Sequence, residues 1–217
     1  MNENISVKEA IRSRRSIRKF KQDPVPKDLI DGLLESARMA PSASNSQPWR
    51  FMVVTDIKQL QVLAELGGNQ KQLKEAPLII ICCGDLNSMK EDSLNKQRKE
   101  LLDEGVYEDI GVDLEWFKSR TPEETSLLHQ INKIQANLFI AVEHMVLSAV
   151  SLGLGTCWTG AFDRERLQKV FKLPEHILPL ILLPAGYPAQ APRERPRLSL
   201  DEITLEPPRE ILTFKPK

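Results

Sequence analysis

Apolar residues along this chain alternate between short continuous runs and helical spacing. Phe51 to Thr55, Leu78 to Cys83, Gly155 to Thr159 and Ile177 to Gly186 are compact apolar runs, read as strands. Helical material separates each from the next. Ser6 is placed as the N-cap of a first helix with Val7, Ala10 and Ile11 on its apolar face. Leu29, Ile30, Leu33, Leu34 and Ala37 mark a second helix, and Asp56 and Asp163 are placed to cap two more. The longest pattern runs from about Pro122 to Leu152. There Leu127, Leu128, Ile131, Ile134, Leu138, Ala141, Val142, Met145 and Ala149 keep helical spacing over about 45 Å. The sum is one α+β domain over residues 1–217, with no internal repeat.

Three segments break that alternation. Pro41-Ser42-Ala43-Ser44-Asn45-Ser46-Gln47-Pro48-Trp49 fits neither helix nor strand, because a proline stands near each end. Its hydroxyls, carboxamides and backbone N–H groups all suit a ligand, and it hangs between two packed elements. Residues 86–124 are dense in charge, then mix acids with Tyr107, Trp116 and Phe117. They read either as a solvated helical insertion or as a lid. The end of the chain, from about 200 to 217, carries Ile211, Leu212 and Phe214 after Pro207-Pro208, apolar surface that a free tail would waste.

Composition narrows the classes. With 217 residues and 41% hydrophobic content the chain can bury one substantial core. Thirty basic against 30 acidic residues give no push towards nucleic acid. No apolar stretch reads as long enough to cross a membrane, and Met1-Asn2-Glu3-Asn4 lacks the form of a signal peptide, so a cytoplasmic protein is expected. Cys82, Cys83 and Cys157 have no metal-binding spacing and are expected as reduced, buried thiols. Redox chemistry would therefore need an added organic cofactor or a metal held otherwise. His129, His144 and His176 fall in no motif, and the first two are read as packing or interface residues of the long helix.

Against the balanced background, Arg12, Arg14, Arg15 and Arg18 crowd around Ser16 at the end of the first helix. Guanidinium forks suit bidentate contact with an oxyanion, phosphate above all.

Four blocks together resemble the nitroreductase family. They are Arg14-Arg15-Ser16-Ile17-Arg18-Lys19-Phe20, the loop at 41–49, Gly153-Leu154-Gly155-Thr156-Cys157-Trp158-Thr159-Gly160, and Gly186-Tyr187-Pro188 followed by Arg195-Pro196-Arg197-Leu198. The resemblance spans nearly the whole chain. It implies a nitroreductase-like α+β fold, with a central, mostly antiparallel sheet flanked by helices. It also implies an intertwined homodimer with tightly bound FMN at the subunit interface, NAD(P)H as transient donor, and the long helix in the interface. The C-terminal arm would then pack on the partner subunit.

Carried over residue by residue, the resemblance puts Arg14 and Ser16, with Arg15 beside them, at the phosphate and ribityl end of FMN. Arg195 and Arg197 would close on the phosphate, and Arg18 would face the pyrimidine edge, with Lys71 a second candidate there. Pro41, Ser42, Ala43, Ser44 and Asn45 would reach the flavin from the other subunit, with Gln47 either at the flavin or bracing the loop. Trp158, Thr159 and Gly160 would lie beside the ring near N5. The implied reaction is ping-pong hydride transfer through flavin N5 to a nitroaromatic, a quinone or a similar electron-poor acceptor. No metal and no catalytic side chain are expected. Two alternatives stay open. One is a reductive dehalogenase or flavin-consuming relative, with Glu91, Tyr107 and Lys118 holding a zwitterion. The other is a flavin-binding sensor or redox partner without turnover.

Overall fold

The computed structural model describes residues 5–106, 126–192 and 194–207. Helix α1 (Val7–Ser13) is opened by a capping box in which the Ser6 and Glu9 side chains each bond the other's backbone N–H. Helix α2 spans Lys27–Arg38, and strand β1 (Trp49–Val54) follows the proline-bounded loop. Helices α3 (Ile57–Leu66) and α4 (Lys71–Glu75) lead to β2 (Leu78–Asp85). The charged helix α5 spans Glu91–Asp103 and the long helix α6 spans Leu127–Ser151. Then come β3 (Gly155–Thr156), α7 (Arg164–Val170), β4 (Ile177–Gly186) and the short α8 (Leu200–Ile203). Asp56 and Asp163 cap α3 and α7 as the sequence suggests, each accepting backbone N–H bonds from the first turn.

The four strands form one sheet in the order β1-β2-β4-β3, antiparallel throughout. Helices cover both faces, and β2 shows why its sequence reads as an unbroken apolar run. Leu78, Ile80 and Cys82 enter one core layer with Ile30, Leu33 and the α6 residues Ile134, Leu138, Val142 and Met145. Ile79, Ile81 and Cys83 enter the other, with Leu63, Leu73 and Leu167. The adjacent cysteines thus point to opposite faces and stay free. Burial pushes the Cys82 thiol well up from its ordinary value and the Cys83 thiol up to about 12.

Several expectations need correction. Strand β1 starts at Trp49 rather than Phe51, because Trp49 already pairs with Gly84. The third strand was expected over 155–159 but forms only Gly155–Thr156. Thr159 returns to bridge Leu182 in the same register, and the gap lies opposite Pro184, which has no N–H to offer the ladder. The other proline of β4, Pro179, sits where the β2–β4 register shifts between Cys82 and Cys83.

Of the α1 apolar face only Ala10 is buried, and Val7 and Ile11 are 71% and 57% exposed. Leu127 and Leu128 are also exposed, so the buried stripe of α6 begins at Ile134. Contrary to the sequence reading, α6 is long and apolar enough, by length and composition, to cross a membrane, with mean hydropathy 1.3. Its stripe is instead spent on the sheet and on α2. Pro122, Tyr107, Trp116, Phe117, Lys118, Ile211, Leu212 and Phe214 lie outside the described residues, as does the proposed lid beyond α5.

Candidate functional site

Three of the four blocks are stitched together by backbone hydrogen bonds. Helix α6 ends in a Schellman turn: Leu154 N–H bonds Ala149 O at 2.8 Å, and Gly153 N–H bonds Val150 O at 3.1 Å. Gly153 takes φ +73°, the left-handed conformation this turn requires. After α1 the chain turns extended at Arg14 and runs beside β3, with Ser16 bridging Thr156 in parallel and Ile17 N–H bonding Thr156 O at 2.9 Å. That approach leaves no room at Gly155, where an added Cβ would stand 2.3 Å from Ile17 Cγ1 and 2.8 Å from its Cβ. Lys21 N–H to Tyr187 O at 2.8 Å and Ala189 N–H to Lys19 O at 3.0 Å then tie in the fourth block.

The side chains of these blocks divide by role. Arg15 spends its guanidinium on the carbonyls of Arg12 and Arg14, at 2.6 and 2.8 Å, closing the end of α1. Arg197 similarly donates to Pro196 O at 3.1 Å. Among the described residues no carboxylate pairs with Arg14, Arg15, Arg18, Arg195 or Arg197. Cys157 is buried, which raises its thiol pKa against the opposing influence of Arg18, Ser16 and Thr159 around it. Arg14, Arg15 and Arg18 flank Ser16 along the chain, and guanidinium groups without a carboxylate partner suit an anionic group.

The other candidates lie less simply. Lys71 opens α4, exposed and paired with Glu75 at 3.6 Å. Its neighbour Gln72, unnoticed in the sequence, turns inward and donates to Gln70 Oε1 at 2.9 Å and Thr159 Oγ1 at 3.3 Å. Gln70 in turn donates to Ala161 O at 2.8 Å, so two glutamines brace the 159–161 segment. Trp158 packs its ring edge-on against Phe139 of α6, centroids 5.1 Å apart, and Gly160 is exposed.

The 41–48 loop holds Ser44, Asn45 and Gln47 at φ 51°, 52° and 41°. Left-handed conformations at residues other than glycine cost about 1–3 kcal/mol each and need surrounding support. Gln47 N–H bonds Ser42 Oγ at 2.9 Å, and Gln47 Nε2 bonds Asn45 Oδ1 at 3.0 Å, so Gln47 braces the loop. Pro41, Ala43, Ser44 and Asn45 are exposed, and Ser42 is half-buried.

This loop lies away from the other blocks. Trp49, Gly84 and Leu178 share one end of the sheet, whereas Leu78, Ala185 and Thr156 share the other. The seven steps along the strand from Leu178 to Ala185 span roughly 23 Å. A groove of about 1150 Å³ lies elsewhere again, between α2 and α3 beside the end of β1. Val25, Ile30, Leu34, Val53, Leu60 and Ala64 line it, and no residue of the four blocks does.

An antiparallel sheet clothed by helices, with the arginine-rich segment after α1 laid beside β3 and tied to the exit of β4, defines an α+β protein. The sequence model of the Nitroreductase family matches residues 11–187, and the chain belongs to that family. It is 34% identical over 206 residues to a Methanothermobacter thermautotrophicus protein whose name couples NADH dehydrogenase with NAD(P)H nitroreductase (93% of this chain and 87% of that one). It is 28% identical over 205 residues to the FMN reductase [NAD(P)H] of Bacillus subtilis, covering 94% and 73% of the two chains. An Exiguobacterium sibiricum structure solved in complex with FMN has the same fold, with a TM-score of 0.76 at 23% identity over 94% of this chain and 99% of that one.

Proposed function

We propose that this protein is an FMN-dependent NAD(P)H oxidoreductase that reduces nitroaromatics, quinones or similar electron-poor acceptors. The observation that carries the reading is the backbone junction that joins three blocks at Ser16, flanked along the chain by Arg14 and Arg18, which pair with no carboxylate among the described residues. The names of the relatives, FMN reductase and NAD(P)H nitroreductase, point the same way. When bound, FMN supplies a centre that accepts a hydride from one molecule and delivers it to another. The chain's own residues bind and orient: Arg14, Ser16, Arg195 and Arg197 hold the phosphate end, while Arg18 offsets negative charge at the pyrimidine edge. The glutamine brace fixes the 159–161 backbone.

The working unit in this proposal is a homodimer in the cytoplasm. The 41–48 loop stands about 23 Å along the sheet from Ser16, so one chain does not bring both halves of the site together. A second copy supplies the missing half. The exposed Val7, Ile11, Leu127 and Leu128 give α1 and α6 apolar surface for that contact. Leu200, Ile203 and Leu205 also lie exposed on the C-terminal arm, which is proposed to pack on the partner. Three free, buried thiols suit a reducing compartment.

The test is an anaerobic visible spectrum of the purified protein before and after addition of NADPH, then NADH. Flavin absorbance that bleaches with either donor is the expected result. A colourless protein that takes up no added FMN would overturn the proposal, and bound flavin that no donor bleaches would leave a binding protein without this activity.

A further inference from the structure

Asn137 is a polar residue set in the apolar stripe of α6, between Ile134, Leu138 and Ala141, and it is 7% exposed. An aliphatic side chain would pack there without a desolvation cost, so the amide needs a reason. Its Nδ2 donates to Lys133 O, one turn back, at 2.8 Å. That bond fixes the orientation and leaves Oδ1 to accept the Ala43 N–H at 2.9 Å, across 94 residues of sequence. At the other end of the same loop, Arg50 reaches three groups at once. It pairs with the buried carboxylate of Asp85 at 2.8 Å and donates to Gln47 O at 3.2 Å and Trp49 O at 2.7 Å. Asp85 N–H then donates to Pro48 O at 2.8 Å.

The loop between these two clamps is the one with Ser44, Asn45 and Gln47 in left-handed conformations. Its internal bonds reach no more than five residues. They do not fix where the loop stands relative to the sheet.

We infer that Asn137 and the Arg50–Asp85 pair are positioning residues that hold the 41–48 loop in its cofactor-ready backbone, and so set FMN affinity without touching FMN. The inference rests on the proposed flavin site. A loop that spends only a fraction of its time in the ready shape binds with its affinity reduced by that fraction. Releasing a clamp therefore weakens binding, although the groups that meet the cofactor are unchanged. Because Asn137 belongs to the long helix, the clamp also makes the loop sensitive to how α6 is packed.

The test uses full-length Asn137→Leu and Arg50→Lys beside the unaltered protein. Leucine keeps the branching of asparagine at Cγ, though it is bulkier, and leaves the Ala43 N–H without its acceptor. Lysine keeps a positive charge for Asp85 but cannot also hold the two carbonyls. FMN affinity is read by titrating apoprotein, thermal midpoints by circular dichroism, and loop opening by hydrogen exchange of the 42–47 amides. Asn137→Leu is expected to weaken FMN binding about tenfold, the loss of one buried hydrogen bond, and to speed exchange in the loop. Arg50→Lys is expected to weaken FMN binding severalfold with an unchanged midpoint. A lower midpoint with FMN affinity and loop exchange as in the unaltered protein would reduce both residues to structural ones and overturn the inference. If the unaltered protein takes no FMN, the functional proposal fails and the affinity claim with it. Loop exchange then still reports whether the clamp exists.

Discussion

Replacing Gly155 by alanine tests the junction that brings the blocks together. The new methyl would meet Ile17 Cγ1 at 2.3 Å and Cβ at 2.8 Å, both closer than carbon atoms approach. Cβ is rigidly attached to the backbone, so no rotamer of Ile17 relieves the second contact. The segment carrying Ser16 must move away from β3, straining the Ile17 N–H bond to Thr156 O. Overpacking of this kind costs about 2 kcal/mol. For a chain of this size that lowers the thermal midpoint by about 4–8 °C. Ile17 is itself buried, so Ile17→Ala alone costs about 2–5 kcal/mol through the cavity it leaves.

In the double variant the methyl added at position 155 loses its contacts with Cγ1 and Cγ2 of Ile17 and fills part of their space, while the 2.8 Å contact with the Cβ that alanine keeps remains, so the relief is partial. The double variant is then less destabilised than the sum of the singles by about 1–2 kcal/mol. Urea denaturation of all four proteins at one protomer concentration measures this coupling. Strict additivity would show that Gly155 and Ile17 do not share the space and would refute the reasoning.

Further outcomes follow from individual contacts. Arg14→Ala should weaken FMN binding about tenfold to a hundredfold through the loss of a charge-assisted contact, leaving the apoprotein midpoint unchanged; a fluorescence titration measures it. Asp163→Ala removes the acceptor of the Arg166 N–H at 2.9 Å and should cost about 1 kcal/mol in denaturant titration. Leu138→Ala, at a fully buried site between α6 and the sheet, should cost about 2–5 kcal/mol by the same measurement. Cys83 gives a pH signature. Below its ordinary value of 9.0 the thiol is protonated in both states and contributes no pH dependence. Between 9.0 and about 12 only the unfolded chain loses that proton, so stability falls as pH rises. The slope from this thiol is about 1.4 kcal/mol per pH unit, and stability measured from pH 8 to 10.5 should fall less steeply in Cys83→Ala.

The sequence made most of the scaffold readable, since its local signals and its buried faces agree. Strand β2 stands out because both faces are covered, which turns Leu78 to Cys83 into an unbroken apolar run. Asp56 and Asp163 announce their helices because a cap is a local bond. The interrupted third strand was legible only in part, for its break depends on Pro184, a residue of the strand opposite. The site was harder. Nothing in Ser44 or Gln47 signals a left-handed backbone, and one polar residue in a helical stripe does not reveal that Asn137 holds Ala43. Lys71 drew attention by its charge, although its neighbour Gln72 is the side chain that reaches Thr159. The distance between the 41–48 loop and Ser16 depends on the strand order β1-β2-β4-β3, a long-range property that no local pattern carries.

That separation has a genetic consequence. If each site takes its arginine corner from one chain and its loop from the other, two differently damaged chains can repair each other. A chain with a broken corner, paired with a chain with a broken loop, forms one site with both defects and one with neither. Co-expression of the two alleles would restore up to a quarter of full activity, from the half of dimers that are mixed, each with one intact site. Two corner alleles together would restore nothing. Inheritance of activity in such a protein follows the pairing of chains, and the gene copy alone does not determine the phenotype.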